Sequence, residues 1–325
     1  MGPGGEFERI WAILRDLPDL HTNVEVGPGD DAAILTNDTV LSTDLGIEGV
    51  HFRLDWISPT EAGYRTAAAG VSDLAAMGAE PVGILVSLGV PGDGSLAEEI
   101  MAGVKSLARE FGMTLLGGDL TQSPGPLIVD VVSIGHVRKP LLRSGARVGD
   151  EVWVTGALGG AAAGVALWEA GQTVPHVLRQ AFAVPRPRID EARWLVEAGA
   201  TAGIDLSDGL AGDAGHIAAA SEVAVVIDSD ALPLHSLLAD IQLPEGIDPS
   251  NLALHGGDDF ELLVAAPQGL FDGQVDGFVR RFDLRLTRVG RVIEGVGVLL
   301  KSGDSGAETK PVRSGYDHFG RGLQL

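Results

Sequence analysis

The sequence predicts an α/β (α+β) protein of two domains, and three observations support this. The chain has 325 residues, enough for about two domains of ~150 residues each. Hydrophobic residues make up 45% of the chain, which favours large buried cores over a disordered acidic protein. Short apolar segments typical of strands alternate with helical segments in both halves, and this alternation indicates sheets packed against helices.

The first half predicts three helices and five strands. An amphipathic helix opens the chain, because Phe7, Ile10, Trp11 and Leu14 recur at helical spacing. Capping boxes of Ser58 with Glu61 and of Ser95 with Glu98 predict the starts of two further helices, the second ending near residues 111–112. Apolar runs between turn residues predict strands at 32–35, 39–42, 83–90, 113–116 and 127–137.

The second half begins after a basic, glycine-containing connector at 141–150. We place the boundary near residue 148, which gives an N-terminal domain of residues 1–148 and a C-terminal α/β domain of residues 149–325. Strands are predicted at 151–155, 203–206, 223–227 and 260–265, with helices between them and 286–293 with 296–300 as a closing strand pair. No repeat of fixed period occurs, which argues against a solenoid or propeller.

Charge and composition exclude several functions. The chain carries 23 basic and 45 acidic side chains, a net charge of −22, so it lacks the basic surface that duplex nucleic acid or an anionic membrane requires. It has no cysteine, which excludes disulfides, thiolate nucleophiles, zinc–thiolate sites and iron–sulfur clusters. No apolar run is long enough to span a bilayer, and the first residues do not resemble a signal peptide. We therefore predict a soluble, cytoplasmic protein.

Aspartates concentrate in glycine-rich or apolar segments at predicted strand ends and helix starts. They are Asp30, Asp31, Asp44, Asp73, Asp119, Asp205, Asp208, Asp258 and Asp259. Aspartate is unfavourable in such places unless it is paired, hydrogen-bonded or bound to a metal. Carboxylates without thiols favour hard cations, above all Mg²⁺, which completes its shell with water and substrate phosphates. The sequence therefore indicates Mg²⁺-assisted phosphate chemistry.

Structural alternatives exist for several of these positions. Asp73 and Asp208 each follow serine and could cap helices, and Asp30 with Asp31 could form a turn. The glycine-rich segment 156–160 has no lysine and could either face a phosphate or pack a helix closely on a strand. The P-loop, protein-kinase and serine-hydrolase motifs are all absent. A non-enzymatic acidic protein, adapted to salt or binding Ca²⁺, is the alternative of another class, although EF-hand spacing is missing.

Nine motifs run in order across nearly the whole chain. They are GDDAA (29–33), STDLGIEGVHF (42–52), SDLAAMGAEP (72–81), GGDLT (117–121), RSGARVGD (143–150), VTGALGG (154–160), GIDLSDGL (203–210), GGDDFELL (256–263) and GYDHFG (315–320). Together they resemble the thiamine-monophosphate kinases, of the ATP-binding superfamily that includes aminoimidazole-ribonucleotide synthetase. The resemblance implies two α/β domains. The N-terminal domain (1–148) would bind ATP and Mg²⁺ and pair with its copy in a homodimer, and the C-terminal domain would comprise residues 149–325.

The resemblance also implies a reaction and a set of site residues. The γ-phosphoryl group of ATP would pass directly to thiamine monophosphate with the help of several Mg²⁺ ions, giving thiamine diphosphate and ADP, the last step of thiamine diphosphate biosynthesis. The implied metal ligands are Asp30, Ser42, Thr43, Asp44, Asp73, Asp119, Asp205 and Asp208, of which Asp44, Asp73 and Asp208 would be catalytic. The implied ATP contacts are Gly118, Asp119, Arg143 and Ser207. The implied substrate contacts are His51, Asp258 and Tyr316, where the family usually has glutamate at 258 and often tryptophan at 316.

The residue types of the predicted site suit this reaction. A phosphate monoester is already ionised near neutral pH, with a second pKa near ~6, so a site rich in metal ligands and poor in bases suits it. Arg143 is the natural cation for the polyphosphate, although it could also be a surface arginine of the connector. Tyr316 and His51 would hold the thiamine rings, unless Tyr316 merely packs the C-terminal tail. Related hydrogenase-maturation and selenophosphate-synthesising enzymes use cysteine or selenocysteine. Because this chain has no cysteine, assignment to either of those families is opposed.

Overall fold

Two β-sheets, one in each half, form the framework of the computed structural model, which describes residues 6–15, 17–301 and 309–311. The elements of the first half are α1 (Glu6–Leu14), β1 (Val24–Val26), β2 (Ala33–Leu35), β3 (Thr39–Ile47), α2 (Pro59–Ala76), β4 (Glu80–Val90), α3 (Ala97–Glu110), β5 (Thr114–Gln122) and β6 (Ile128–His136). The first sheet has the order β1-β2-β3-β6-β4-β5. Its strand pairs are antiparallel except β4 with β5.

The second half begins with β7 (Glu151–Thr155), α4 (Gly160–Glu169), α5 (His176–Ala183), α6 (Ile189–Ala198), β8 (Ala202–Asp205), α7 (Leu210–Ala220) and β9 (Ala224–Asp228). It continues with α8 (Pro249–His255), β10 (Leu262–Ala266), α9 (Val275–Phe282), β11 (Leu286–Ile293), β12 (Gly297–Lys301) and β13 (Thr309–Pro311). The second sheet has the order β13-β12-β9-β11-β7-β10-β8. The mixed α/β fold predicted from the sequence is confirmed, and the boundary at residue 148 stays a prediction within the connector between β6 and β7.

Helix α2 packs between the first sheet and α3, and most of its side chains are buried. Its predicted capping box is confirmed, since Ser58 Oγ accepts a hydrogen bond from the Glu61 amide at 3.3 Å and Glu61 Oε2 accepts one from the Ser58 amide at 2.8 Å. A Cβ atom at Gly63 would lie 2.0 Å from the Ile100 carbonyl oxygen, and one at Gly103 would lie 1.8 Å from that of Thr60. Only glycine permits this approach of α2 and α3, which fixes α2 firmly in place.

Strand β5 is the edge of the first sheet and is exposed along its whole length. Its large apolar side chains are solvent-accessible, with Leu115 40%, Leu116 49% and Leu120 62% exposed. A long apolar edge strand offers unpaired backbone groups to another chain. The opposite edge of the sheet carries the short strand β1.

Two local predictions were wrong. No side-chain cap starts α3, whose N-cap residue is Leu96, because the Ser95 amide instead donates to Asp93 Oδ1 at 3.1 Å in the preceding turn. Strands β11 and β12 are not a pair, since β9 lies between them and β12 runs parallel to β9. In the part of the chain that the structure describes, no helix is both long and apolar enough to cross a membrane.

Candidate active site

A cavity of about 600 Å³ lies between the two halves of the molecule. The first half contributes the end of β3, the loop after it and α2, and the second half contributes α4, α5 and the loops before α7 and β10. Five residues predicted from the sequence line this cavity: Asp44, His51, Ser207, Asp208 and Asp258. Residues that are distant in the sequence therefore meet at one cavity, whose volume is typical of small-molecule sites.

A cluster of buried carboxylates brings together Asp31, Asp73 and Asp205, whose nearest oxygens all lie within 4.8 Å of one another. Ser42 Oγ donates a hydrogen bond to Asp73 Oδ2. Asp31 Oδ2 and Asp205 Oδ2 are buried without a hydrogen-bond partner among the described residues. Buried carboxylate oxygens left without donors are unfavourable, and oxygen ligands at this spacing fit a hard divalent cation.

The carboxylates of the site have raised pKa values. Burial raises the pKa of Asp44 to about 6, and burial together with nearby Asp31 raises that of Asp205 to about 7. Burial and the repulsion of three neighbouring carboxylates raise the pKa of Asp73 well above its usual value. Like charges in a poorly solvated site favour proton uptake unless a cation neutralises them. The arrangement is thus suited to holding a metal ion.

Arg143 joins the connector to this cluster. Its Nη2 atom donates to Asp31 Oδ1 at 2.8 Å, and its side chain is only 20% exposed, so the alternative of a surface arginine is wrong. Its backbone amide lies 3.2 Å from each carboxylate oxygen of Asp30. The resemblance assigned a metal-ligand role to Asp30, but the cluster contains Asp31 instead. Asp31 is therefore an additional candidate ligand, and the role implied for Asp30, whose carboxylate accepts from the connector, stays a prediction.

Neither Asp73 nor Asp208 caps a helix, so both capping alternatives are wrong. Asp73 lies in the last turn of α2, and α7 begins after Gly209 without a side-chain cap. The Asp208 amide donates to Asp213 Oδ2 at 3.2 Å, and both carboxylates group with His216 within 4.8 Å. Burial, followed by the charge of Arg143, lowers the pKa of His216 to about 4, so this imidazole is neutral at pH 7. Sequence reasoning missed Asp213 and His216, whose i, i+3 spacing on α7 was the available signal.

His51 and Asp258 both line the cavity, one from each half of the chain. The Ile47 amide donates to His51 Nδ1 at 3.1 Å, so the proton of a neutral His51 ring resides on Nε2. Asp258 has a positive φ of 71° and its Oδ1 atom lies 2.5 Å from Arg65 Nη2. The resemblance did not include Arg65, although a charged residue inside an alanine-rich helix is a visible signal in the sequence.

The glycine-rich segment after β7 serves close packing. The Gly159 amide donates to the carboxylate of Asp259 at 2.9 and 3.1 Å. A Cβ atom at Gly160 would lie 2.9 Å from the His235 ring. The packing alternative is therefore favoured over the phosphate-facing one.

Three predicted residues do not line the cavity, and a fourth is not among the described residues. Thr43 Oγ1 donates to Asp130 Oδ1 on β6 at 3.2 Å. Gly118 and Asp119 lie on the exposed edge strand β5, and Tyr316 is outside the described residues. Among the residues that the structure describes, Thr43, Gly118 and Asp119 do not line the cavity, so their roles stay predictions.

The raised carboxylate pKa values predict how metal-free stability depends on pH. In the folded state burial raises the pKa of Asp30 and of Asp44 to about 6 and that of Asp205 to about 7, whereas unfolded aspartate titrates near ~3.9. The unfolded chain thus binds fewer protons between these values, so their contribution to stability falls as the pH rises from about 4 to 7. We expect a lower melting temperature at pH 8 than at pH 5.5 in EDTA, and a recovery with Mg²⁺ at pH 8. Equal melting temperatures in EDTA at both pH values would contradict this.

Two family models define the class of this protein. The N-terminal domain model of AIR synthase related proteins matches residues 29–137, and the C-terminal domain model matches residues 147–301. The fold and the carboxylate-lined cleft are thus those of an AIR synthase related protein. Within this class, the thiamine-monophosphate kinase of Mycobacterium tuberculosis H37Rv is 36% identical over 308 residues, which cover 92% of this chain and 88% of the relative. That of Salmonella typhimurium is 34% identical, over 97% of this chain and 98% of the relative.

Solved structures agree with these relatives. A structure described as AaThiL complexed with AMPPCP and TMP is 32% identical, has a TM-score of 0.83 and covers 97% of both chains. The HypE–HypF complex contains a chain that is 18% identical with a TM-score of 0.73, which shows a shared fold alone. The chain belongs to the thiamine-monophosphate kinase family, and the resemblance identified from its motifs is confirmed.

Proposed function

We propose that this protein transfers the γ-phosphoryl group of ATP directly to thiamine monophosphate, giving thiamine diphosphate and ADP. The observation that carries the proposal is the position of the Asp31–Asp73–Asp205 cluster beside a cavity that Asp44, His51, Ser207 and Asp208 line. The similar protein AaThiL was solved with AMPPCP and TMP, which supports an ATP site and an acceptor site in one cleft.

Different side chains of the chain would bind the metal, the polyphosphate and the acceptor. Asp31, Asp73 and Asp205 would hold Mg²⁺ together with Ser42, and Asp44 and Asp208 would extend the set of ligands towards the cavity. A Mg²⁺ ion held by these residues would supply positive charge against the charge that develops in phosphoryl transfer. Arg143, held near the cluster by Asp31, supplies a fixed guanidinium for the polyphosphate. His51 and Asp258 hold the acceptor at the other end of the cavity.

A homodimer and a cytoplasmic location complete the proposal. The apolar edge strand β5 is the surface along which two copies would pair, because its backbone groups and its exposed leucines are available for a second sheet. Gly118 and Asp119 lie on this strand, so pairing would enclose two of the predicted ATP contacts.

The direct test is a coupled ADP assay with thiamine monophosphate as the acceptor. ADP and thiamine diphosphate should form in equal amounts and only when ATP, Mg²⁺ and acceptor are all present. If Mg²⁺ or Ca²⁺ binds but no ADP forms, the non-enzymatic alternative replaces this proposal.

ATP affinity should depend on the divalent cation. Because carboxylates line the cleft and no P-loop lysine is present, the triphosphate meets strong repulsion unless a cation lies between the two. Calorimetric titration with ATP should give a dissociation constant at least about 100-fold weaker in EDTA than in Mg²⁺, a difference of ~2.7 kcal/mol. The same affinity in both buffers would show that the protein alone holds the phosphates.

A further inference from the structure

Arg65 is a buried arginine in the wall of the cavity, in the middle of α2. Its side chain is only 5% exposed, although it lines the cavity. Burying a guanidinium is unfavourable unless its charge and its N–H groups are satisfied. The partners of Arg65 therefore indicate why an alanine-rich helix contains it.

The guanidinium joins three separate segments of the cavity wall. Nε donates to the His51 carbonyl oxygen at 3.3 Å, Nη1 donates to the Phe182 carbonyl oxygen at 2.6 Å, and Nη2 pairs with Asp258 Oδ1 at 2.5 Å. His51 follows β3, Phe182 lies in α5, and Asp258 precedes β10. One side chain of the first half thus links a loop of its own half to two segments of the second half.

The segment that receives the ion pair has an unfavourable backbone conformation. Asp258 has a φ of 71° and Phe260 a φ of 49°, in the left-handed region that non-glycine residues rarely adopt. Such conformations persist only where surrounding contacts hold them. Backbone hydrogen bonds to Ser207 and Leu206 hold part of this segment. The Arg65 guanidinium adds the ion pair with Asp258 and lies 5.7 Å from the centroid of the Phe260 ring.

We infer that Arg65 is the positioning residue of the acceptor end of the cavity, which sets the Asp258 carboxylate and the His51 segment for the acceptor. This rests on the proposed function. The pair fixes Asp258 through its Oδ1 atom and offsets its charge, so this partly exposed carboxylate serves as an oriented hydrogen-bond acceptor for the bound substrate. The cation predicted for ATP is a different one, Arg143, which pairs with Asp31. Loss of Arg65 therefore affects acceptor binding and spares nucleotide binding.

The test is steady-state kinetics of Arg65→Gln, which keeps a polar side chain but loses the charge and the planar fork. We expect the KM for thiamine monophosphate to rise about tenfold or more, since charge-assisted hydrogen bonds are lost. We expect the KM for MgATP to stay within about twofold. Arg179→Gln is the matched control, because Arg179 also links α5 to α2, through a two-pronged pair with Glu61, but does not line the cavity. It should leave both KM values unchanged.

Two further variants keep the inference testable if Arg65→Gln folds poorly. Arg65→Lys keeps the charge but cannot reach three acceptors, and Asp258→Asn removes the charge from the partly exposed partner. Both should raise the acceptor KM selectively, and the double variant Arg65→Lys/Asp258→Asn should cost less than the two single effects combined. An unchanged acceptor KM in folded variants, or equal increases in both KM values, overturns the inference. A wild-type protein without activity on thiamine monophosphate overturns the proposed function instead.

Discussion

Replacing Asp73 by asparagine should lower kcat by about a thousandfold, as removal of one preorganised electrostatic group at a transition state does elsewhere. Asp73 groups with Asp31 and Asp205 in the cluster, and Ser42 donates to it. An amide has nearly the same size but no charge, and it is a poor ligand for Mg²⁺. We expect kcat to fall further than the affinity for thiamine monophosphate, because Asp73 does not line the acceptor cavity.

The same substitution should stabilise the metal-free protein. Burial and the charges of Asp205, Asp44 and Asp31 raise the pKa of Asp73, so the Asp73 carboxyl group lowers the stability of the metal-free fold as the pH rises above the unfolded pKa of ~3.9. The neutral amide of Asp73→Asn would remove this repulsion and could still accept the hydrogen bond from Ser42. The melting temperature in EDTA should therefore rise, and it should rise more at pH 8 than at pH 5.5.

The control is Asp93→Asn, at an exposed turn that the site does not involve. It should change neither kcat nor the pH dependence of stability. Asp44→Asn and Asp208→Asn should lose activity in the same way as Asp73→Asn. If Asp73→Asn kept most of its activity and melted at a lower temperature, its carboxylate would have a structural role only.

Free thiamine should be a very poor acceptor, with a turnover at least about 100-fold below that of thiamine monophosphate. A hydroxyl nucleophile loses a proton as it attacks, and general-base assistance contributes about 10²–10⁴-fold. The cavity carboxylates Asp44 and Asp208 are predicted metal ligands, and Asp258 is paired with Arg65. A phosphate monoester arrives already ionised and needs no base.

Turnover rates measured with thiamine monophosphate and with free thiamine, at saturating MgATP, test this prediction. The remaining carboxylate of the cavity lining is Glu169, an exposed residue at the end of α4. Glu169→Gln should leave turnover of thiamine monophosphate unchanged. Comparable rates with free thiamine would mean that a general base exists, and a loss of that rate in Glu169→Gln would identify it.

Local patterns predicted the elements well where short-range chemistry decides them. The capping box at Ser58 fixed the start of α2, and β-branched runs located β4 and β6 to within a few residues. The box at Ser95 failed because Asp93 competes for the Ser95 amide in the preceding turn. The pairing of β12 with β9 was not predictable, because a parallel pairing joins strands that are distant in the sequence.

The sequence predicted which types of residue form the site but not how they are arranged in space. Motifs indicated which segments contain the carboxylates, but two adjacent aspartates cannot be distinguished without knowing which one points inwards. The resemblance implied Asp30, whose role stays a prediction, and the structure adds Asp31, which lies in the cluster. Arg65 was missed because its partners, at residues 51, 182 and 258, meet only after both halves have folded.

Helix α2 also sets the distance between the acceptor end of the cavity and the carboxylate cluster. It carries Arg65 at the acceptor end of the cavity and Asp73 at the carboxylate cluster, eight residues further on, a rise of about 12 Å along the axis. Inserting or deleting one residue between them would rotate one end by ~100° relative to the other and separate recognition of the acceptor from the phosphoryl donor. We therefore expect length changes during the divergence of this chain to be confined to its surface loops, while the interval from Arg65 to Asp73 keeps a constant number of residues.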